Sequence, residues 1–513
     1  MSSCNYKLSG TSPTPTAPLA LGVDLGTTGT RASVVDPATG AVVGDAHVPT
    51  RLIRTDDAVV QDPAELLASV EAAIRAAVAQ APGPIAGLAI GGQMAGVMGL
   101  DRDGLPTTPY DSWLDARCGD QLGAVRAHGQ RLIERTGCPP MVDHLPKLLW
   151  WREHEHETYA RTARWVQPAA YAALRLCGGT SADAFIDETY LHFTGLADVR
   201  NGTWAPDLLD AFGVEETQLP RIVTPTDRVG ALTREAADRC GLPADLPVFA
   251  GAGDTASGAL GAGIVAPGEL LDTAGTAAVL LGAVPGFAAD PAGRLITMRG
   301  ALPGQFLTLS YVGGAGLCLP WLTRVLGAPG ADERERLEAL IAEAADVPAG
   351  AEGLFFVPHL DGRILPAAPD ASGAWLGLRF RHERGHLTRA VLEAVAFEYR
   401  GYLEAMRAAH PGFAPASLRS IGGGARSATW NAIKGDALGV PVGRVAREEL
   451  GAYGCALIAA AGAGALEDLA AAAACAPTGT RAPDAAAHAT YSDLWPRYAA
   501  TVEHLITDLE PAS

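Results

Sequence analysis

Two stretches of this chain open with short apolar runs separated by Gly-rich turns, and each then gives way to apolar residues at helical spacing. In the first, Leu19–Asp24, Ala32–Val35 and Ala41–Val48 are divided by Gly26-Thr27-Thr28-Gly29-Thr30 and by a Pro-Ala-Thr-Gly turn, which predicts a β-meander. Pro63–Ala79 has helical spacing, and Ile85–Ile90 and Val97–Leu100 read as strands flanking Gly91-Gly92-Gln93-Met94. Helices are predicted at Asp115–Arg126, Leu145–His154 and Gln167–Leu176, and a buried strand at Leu246–Ala250. The second stretch repeats the order. Strands are predicted at Glu269–Thr273, Ala277–Leu281, Leu295–Arg299 and Phe306–Tyr311, then helices at Gly316–Leu326, Glu333–Ala345 and Leu387–Ala409. A strand at Leu418–Ile421 runs into Gly422-Gly423-Gly424. Helices at Ser427–Leu438, Leu450–Ala461 and Tyr491–Leu509 follow.

Meanders followed by helices, twice over, predict two α/β domains. The boundary is placed near Gly251, giving domains over 19–250 and 251–513. The preceding residues 1–18 are rich in Ser, Thr and Pro and lack both a charged start and an apolar core. A disordered leader is expected there, not a signal peptide. Aligning Gly26-Thr27 with Gly275-Thr276 matches the flanks as strand, turn, small residues, strand. Asp24 then falls opposite Thr273, and Asp272, one position away, should face the other side of its strand. Two unrelated hairpins in a Gly-rich chain would look similar.

Length and composition narrow the function. At 513 residues with 48% hydrophobic content, the chain can fill two large cores. The net charge of −18 opposes binding of a polyanion such as DNA, and it means that any nucleotide site must rely on backbone N–H groups, local cations and Mg²⁺. Lysine is confined to Lys7, Lys147 and Lys434, a bias read as genome composition. The eight cysteines form no Cys-x-x-Cys pair and are irregularly spaced, as expected of reduced thiols in a cytoplasmic protein. No run of about 20 apolar residues suggests a membrane span.

Several nucleotide and hydrolase motifs are missing: the P-loop, the protein-kinase set, His-Glu-x-x-His and Gly-x-Ser-x-Gly. Gly261-Ala262-Gly263-Ile264-Val265-Ala266 fits a dinucleotide fingerprint, but without the acidic ribose ligand, and is taken as chance; an NAD-dependent oxidoreductase rests on it alone. Gly-rich turns follow apolar strands at Gly26, Gly275 and Gly422. A further turn, Gly251-Ala252-Gly253-Asp254-Thr255, places a carboxylate at a helix start, either as an N-cap or as a general base in a cleft.

The segment Gly373-Ala-Trp375-Leu-Gly377-Leu378, followed by His386-Leu387-Thr-Arg-Ala390-Val391-Leu392-Glu393, resembles the C-terminal signature of the FGGY family of carbohydrate kinases. Gly22-Val-Asp24-Leu-Gly26-Thr27-Thr28, Trp113-Leu-Asp115-Ala-Arg117, Pro146-Lys147-Leu-Leu-Trp150, Gly253-Asp254, Gly275-Thr276 and Gly422-Gly-Gly424-Ala-Arg-Ser427 extend the likeness over nearly all of Leu19–Leu509. The resemblance implies a two-domain actin/hexokinase-like (ribonuclease H-like) α/β fold with a central cleft. It implies ATP and Mg²⁺, and transfer of the γ-phosphoryl group to a sugar hydroxyl. Asp254 would be the catalytic base and would also touch the sugar. Asp24 would hold the metal through water. Gly26, Thr27, Thr28, Gly275, Thr276, Gly422, Gly423, Gly424 and Ser427 would bind ATP and its phosphates. Gln93, Met94, Trp113 and Asp115 would bind sugar, although Trp113 could simply be core and Asp115 a helix cap.

Within the family the likeness is greatest to xylulose kinases, through Gly-Gln-Met-x-Gly and Trp-x-Asp-x-Arg. D-xylulose or a related pentulose is therefore the first expectation. Ala95 stands where those kinases usually have His, and Gly362-Arg363-Ile364-Leu365-Pro366 keeps only the Gly and Pro of their Gly-Glu-Arg-Thr-Pro. Another ketose or polyol (ribulose, a hexulose, a sugar alcohol) stays open, and glycerol is disfavoured by Met94-Ala95. A nucleotide-driven switch protein of the same fold is the alternative from another class. The expected partners are ATP and sugar, with no nucleic acid and no membrane; a homodimer is one arrangement the resemblance allows.

Overall fold

The computed structural model describes residues 18–274, 278–327, 332–447 and 449–509. The leader expected over 1–18 lies, apart from Pro18, outside the described residues, as do the predicted phosphate residues Gly275 and Thr276. No described helix is long and apolar enough to cross a membrane. The seven described cysteines are all free thiols.

The first meander consists of β1 (Leu19–Leu25), β2 (Gly29–Asp36) and β3 (Ala41–Pro49), each antiparallel to the next. Helix α1 (Pro63–Val78) starts behind Asp62, whose side chain accepts from the Ala64 N–H, and has Pro63 at its first position, a common N-terminal signal. β4 (Ile85–Gly92) then pairs parallel with β1. With β5 (Arg228–Ala231) and β6 (Pro247–Phe249) the sheet order is β5-β6-β4-β1-β2-β3. The second sheet follows the same plan. β7 (Glu269–Ala274) and β8 (Ala278–Val284) form a hairpin, β9 (Ile296–Arg299) and β10 (Phe306–Val312) extend it, and β11 (Ser417–Ile421) and β12 (Val442–Arg444) add in parallel on the other side of β7. With β13 (Thr478–Arg481) the order is β9-β10-β8-β7-β11-β12-β13. In both sheets the founding strand has a hairpin on one side and parallel crossovers on the other. This is the repeat expected from the sequence, and the architecture is the two-domain actin/hexokinase-like arrangement.

Four further helices matter for the site: α2 (His144–His154), α3 (Asp254–Gly261), α4 (Ala428–Leu438) and α5 (Leu450–Gly462). The predicted helix over Asp115–Arg126 forms only from Gly119. Val97–Leu100 yields a strand over Met98–Leu100, but it pairs with Arg164–Val166 outside the main sheet. Gly261-Ala262-Gly263 forms the C-terminal end of α3, and Gly263 has φ +77°. A dinucleotide pyrophosphate uses the opposite end of a helix, so the fingerprint is a coincidence of composition.

Alternation along β1 decides what packs where. Leu19, Leu21, Val23 and Leu25 join Leu66, Val70, Ala73 and Ile74 of α1 in one core. The even positions are small or polar: Ala20, Gly22 and Asp24. The face they share is covered by α5, which comes from the far end of the chain. A Cβ on Gly22 would lie 2.0 Å from the Ala452 carbonyl oxygen and 2.1 Å from the Ala456 nitrogen. In β4, Gly91 sits just as close to the Ala252 carbonyl, with the Cys455 Sγ 2.7 Å from its would-be Cβ. On the other flank of α5, a Cβ on Gly454 would lie 2.0 Å from the Ser257 carbonyl oxygen of α3. Glycine on both partners lets three backbones meet, and α5 is apolar on all sides because it is buried on all sides. A second link between the halves runs through β9. The Thr297 N–H donates to the Gly137 carbonyl (2.8 Å), while Arg299 pairs with Glu188 (2.7 Å) and donates to the Val199 and Arg200 carbonyls (both 2.8 Å).

Gly454→Ala provides a signed test of this packing. In an open helix that change gains about 1 kcal/mol of helix propensity. Here we expect a loss of about 1–3 kcal/mol, because the methyl group meets backbone that cannot move aside. Urea denaturation of the two proteins measures it, and a stabilised variant would mean that α5 is not seated as described.

Candidate active site

The site gathers where β1, β4 and α3 end or begin together. Asp24 pairs in register with Gly91 on one side and Arg31 on the other. Being on the α5 face, its carboxylate is directed at the first turn of that helix; a Cβ on Gly451 would be 2.3 Å from Asp24 Oδ2. Asp24 Oδ1 is buried and has no hydrogen-bond partner in the protein. Burial, reinforced by the nearby Asp254 carboxylate, pushes the Asp24 carboxyl up to about 7; Arg31 opposes the shift and Glu449 adds to it. Arg31 and Glu449 are themselves ion-paired across β2 and the start of α5.

Asp254 is the first residue of α3. The cap position belongs to Gly253, so the carboxylate does not cap the helix; it accepts from the Thr255 hydroxyl (3.1 Å) and backbone N–H. Gly253 is fixed by a bridge to Gly92 at the end of β4 and by donation of its N–H to the Thr189 hydroxyl (2.8 Å). The Asp254 side chain is open to solvent at the floor of the cleft, yet walled by protein. Desolvation raises it to about 6 against the pull of the two Thr255 bonds. Tyr311, from the second sheet, completes the wall: burial, Cys138 and Asp254 together push its phenol up.

The predicted turn and sugar residues meet in one network. The Thr27 hydroxyl accepts from the Trp113 indole N–H (3.0 Å) and donates to Gln93 Oε1 (3.3 Å), while the Thr27 carbonyl accepts from Gln61 Nε2 (3.1 Å). Gln93 Nε2 donates to Gln61 Oε1 (2.7 Å), and the Gln93 N–H donates to the Leu25 carbonyl (2.9 Å). Gly26 closes the turn onto the Gly29 carbonyl, and Thr28 is exposed at its tip. Met94 is packed against Gly253, whose Cβ would lie 2.6 Å from its Sδ. Trp113 is 49% exposed, so it is not core. Asp115 is buried and does not cap the next helix: Oδ2 accepts from the Val59 N–H (2.9 Å) and Oδ1 from the Arg117 side chain (3.0 Å). Its neighbour Asp111 accepts from Arg117 and Trp151.

In the second half, Asp272 lies buried on its strand, hydrogen-bonded to Tyr399 and Ser420 and paired with Lys434. Gly422 has φ +78°, a conformation that favours glycine, and Gly423 is exposed with open space where a Cβ would be. Gly424 begins the short helical turn that follows, and the Ser427 hydroxyl caps α4 by accepting from the Trp430 N–H (3.1 Å). A flat ligand can therefore approach this backbone closely.

To a hard divalent cation such as Mg²⁺ the protein offers one unpartnered buried oxygen, Asp24 Oδ1, with Asp254 nearby, while Glu449 is engaged by Arg31. Among the described residues no group of three or more His, Cys, Asp or Glu is gathered to hold a metal. An ion here would be held largely through water and substrate oxygens. Sequence reasoning did not single out Thr189, Glu449, Gly451 or Lys147 as parts of the site. The first three are brought in by long-range packing and leave no local signal. Lys147 had one, since lysine is so scarce in this chain.

Residues 19–261 match the FGGY family of carbohydrate kinases, N-terminal domain, and residues 272–463 match the C-terminal domain. The chain is 30% identical over 390 residues to the xylulose kinase of Bacillus subtilis (strain 168), spanning 75% of this chain and 76% of that one. It is 31% identical over 456 residues to the xylulose kinase of Streptomyces coelicolor, spanning 86% and 88%. Among solved structures, the xylulose kinase from Rhodospirillum rubrum is similar with a TM-score of 0.87 at 30% identity, covering 96% of this chain and 100% of that one. The Gly-Thr turns, the cleft carboxylates and the duplicated sheets thus have one origin: the chain belongs to the FGGY family of carbohydrate kinases and is a sugar kinase.

Proposed function

We propose that this sugar kinase transfers the γ-phosphoryl group of Mg-ATP to a hydroxyl of a ketose, with D-xylulose or a related pentulose as first candidate and Asp254 as the base. One observation carries the reading. Asp254 stands at the start of a helix, reachable from the cleft, with its carboxyl raised to about 6 by desolvation. That combination keeps a carboxylate ionised near neutrality yet basic enough to take a hydroxyl proton. The relatives named xylulose kinase support the pentulose. Ala95, in place of the usual His, favours testing other ketoses and polyols beside it.

In this mechanism the sugar lies along Gln93, Met94, Trp113 and Asp115 in the domain assigned to 19–250. The adenosine lies along Gly422–Gly424 and Ser427 in the domain assigned to 251–513, and the phosphates between the turns at Gly26–Thr28 and Gly275-Thr276. As the sugar oxygen attacks the γ-phosphorus, Asp254 accepts its proton, the bond from phosphorus to the β-γ bridging oxygen breaks, and ADP departs. Such transfer depends mainly on alignment and charge stabilisation. Mg²⁺, when bound, neutralises phosphate charge; Asp24 would orient its water shell. The low Lys count leaves this task to backbone N–H groups and the ion. The assembly is assigned to the cytoplasm, where ATP and free thiols coexist.

Four outcomes are expected. Asp254→Asn lowers kcat by roughly 10²–10⁴ while sugar and ATP still bind. In the native enzyme kcat/KM falls as pH drops through about 6, because a protonated carboxyl cannot accept the hydroxyl proton; full turnover by the variant removes Asp254 from this role. Asp24→Asn raises the Mg²⁺ concentration for half-maximal velocity by about 10–100-fold, as loss of an outer-shell ligand does, and an unchanged Mg²⁺ titration removes Asp24 from the metal. Ala95→His alters the order of preference over a panel of ketoses and polyols more than it alters the KM for ATP, and an unaltered order would show that position 95 does not read the sugar.

A further inference from the structure

The loop that joins β4 to the strand at Met98–Leu100 carries Gln93, Met94 and Ala95 past the start of α3. Ala95 has φ +58°, in the left-handed region that a side chain with a Cβ enters only at a cost. The next position admits only glycine: a Cβ on Gly96 would lie 2.1 Å from the Tyr110 hydroxyl and 2.4 Å from the Asp111 carbonyl oxygen. The loop therefore needs an outside hold on Ala95.

Lys147 of α2 supplies one. Its side chain is 2% exposed, and Nζ donates to the Ala95 carbonyl and to the Val142 carbonyl at the start of α2, both at 3.2 Å. No described carboxylate forms an ion pair with it. Asp111 and Asp115 are turned to Arg117, Trp151 and Val59; burial lowers the Lys147 ammonium below its usual range, opposed from a distance by Cys118, Asp111, Asp143 and Asp115. A buried ammonium spent on two carbonyls is costly unless it holds something in place. We infer that Lys147 is a positioning residue for sugar recognition: its bond to the Ala95 carbonyl keeps the 93–95 loop in the left-handed turn that sets which face position 95 offers to the cleft. The inference rests on the proposal that this loop faces the sugar.

The test is steady-state kinetics on the full chain for Lys147→Met, Ala95→Gly and the double variant, with the ketose that the native enzyme prefers. Losing the bond and leaving the Ala95 carbonyl buried should raise the sugar KM of Lys147→Met about tenfold. The KM for ATP should stay within about twofold. Glycine enters positive φ freely, so Ala95→Gly added to Lys147→Met should recover part of the sugar KM. A merely structural lysine would give no such rescue. If Lys147→Met fails to fold, Lys147→Gln, which keeps an N–H donor, serves instead: a smaller rise in sugar KM, again lowered by Ala95→Gly, is expected. Equal losses for sugar and ATP, an unchanged sugar KM, or no rescue by glycine would overturn the inference alone. A native enzyme that phosphorylates no sugar on the panel would overturn the substrate reading and the inference with it.

Discussion

The whole arrangement depends on the near-contact of three backbones, those of β1, α3 and α5. Helix α5 lies against β1 at Gly22 and against α3 at Gly454, at distances where any side chain would collide. Close packing of this kind fixes relative position to a fraction of an ångström, because there is no flexible side chain between the elements to absorb error. Asp24 at the end of β1 and Asp254 at the start of α3 are thereby held in one cleft, near enough for each charge to feel the other. The relative placement of these two carboxylates is set by glycines of the core.

Electrostatics follow from the same packing. An acidic chain of net charge −18 must bind a polyanion, and the pair Asp24 and Asp254 makes the local field more negative still. Burial raises both carboxyls, and the Asp254 charge raises Asp24 further. On the proposed mechanism, a divalent cation brought in with the nucleotide would offset that repulsion. Asp272, the corresponding acid of the second half, has no such role: it is neutralised within the core by Lys434 and hydrogen-bonded to Tyr399 and Ser420. The two halves share a backbone plan and differ in where they expose charge.

Much of this was legible in the sequence, because periodicity and glycine placement are local. The meanders, the strands expected at Ile85–Ile90 and Leu418–Ile421, and the helix over Glu333–Ala345 follow from the spacing of apolar residues. The opposite facing expected of Asp272 follows from strand alternation alone. What could not be read was the partner of each small residue. Gly22, Gly91 and Gly454 appear as unremarkable members of a Gly-rich chain until the fold brings 452–456 onto the first sheet. Helix Asp115–Arg126 was overextended because Asp115 and Arg117 look like a helix start, whereas they are engaged with each other and with Asp111. Lysine scarcity looked like a matter of composition. Yet two of the chain's three lysines, Lys147 and Lys434, are buried.

The covering of the first sheet by α5 also has a consequence for biosynthesis. Translation delivers β1, β4 and α3 long before residues 450–462 leave the ribosome. Over that interval the face bearing Ala20, Gly22 and Ala89 stays uncapped, presenting a hydrophobic groove shaped for a helix that does not yet exist. The nascent first half thus carries apolar surface without its cover until nearly nine-tenths of the chain has been made, and a truncation short of α5 would leave that groove open.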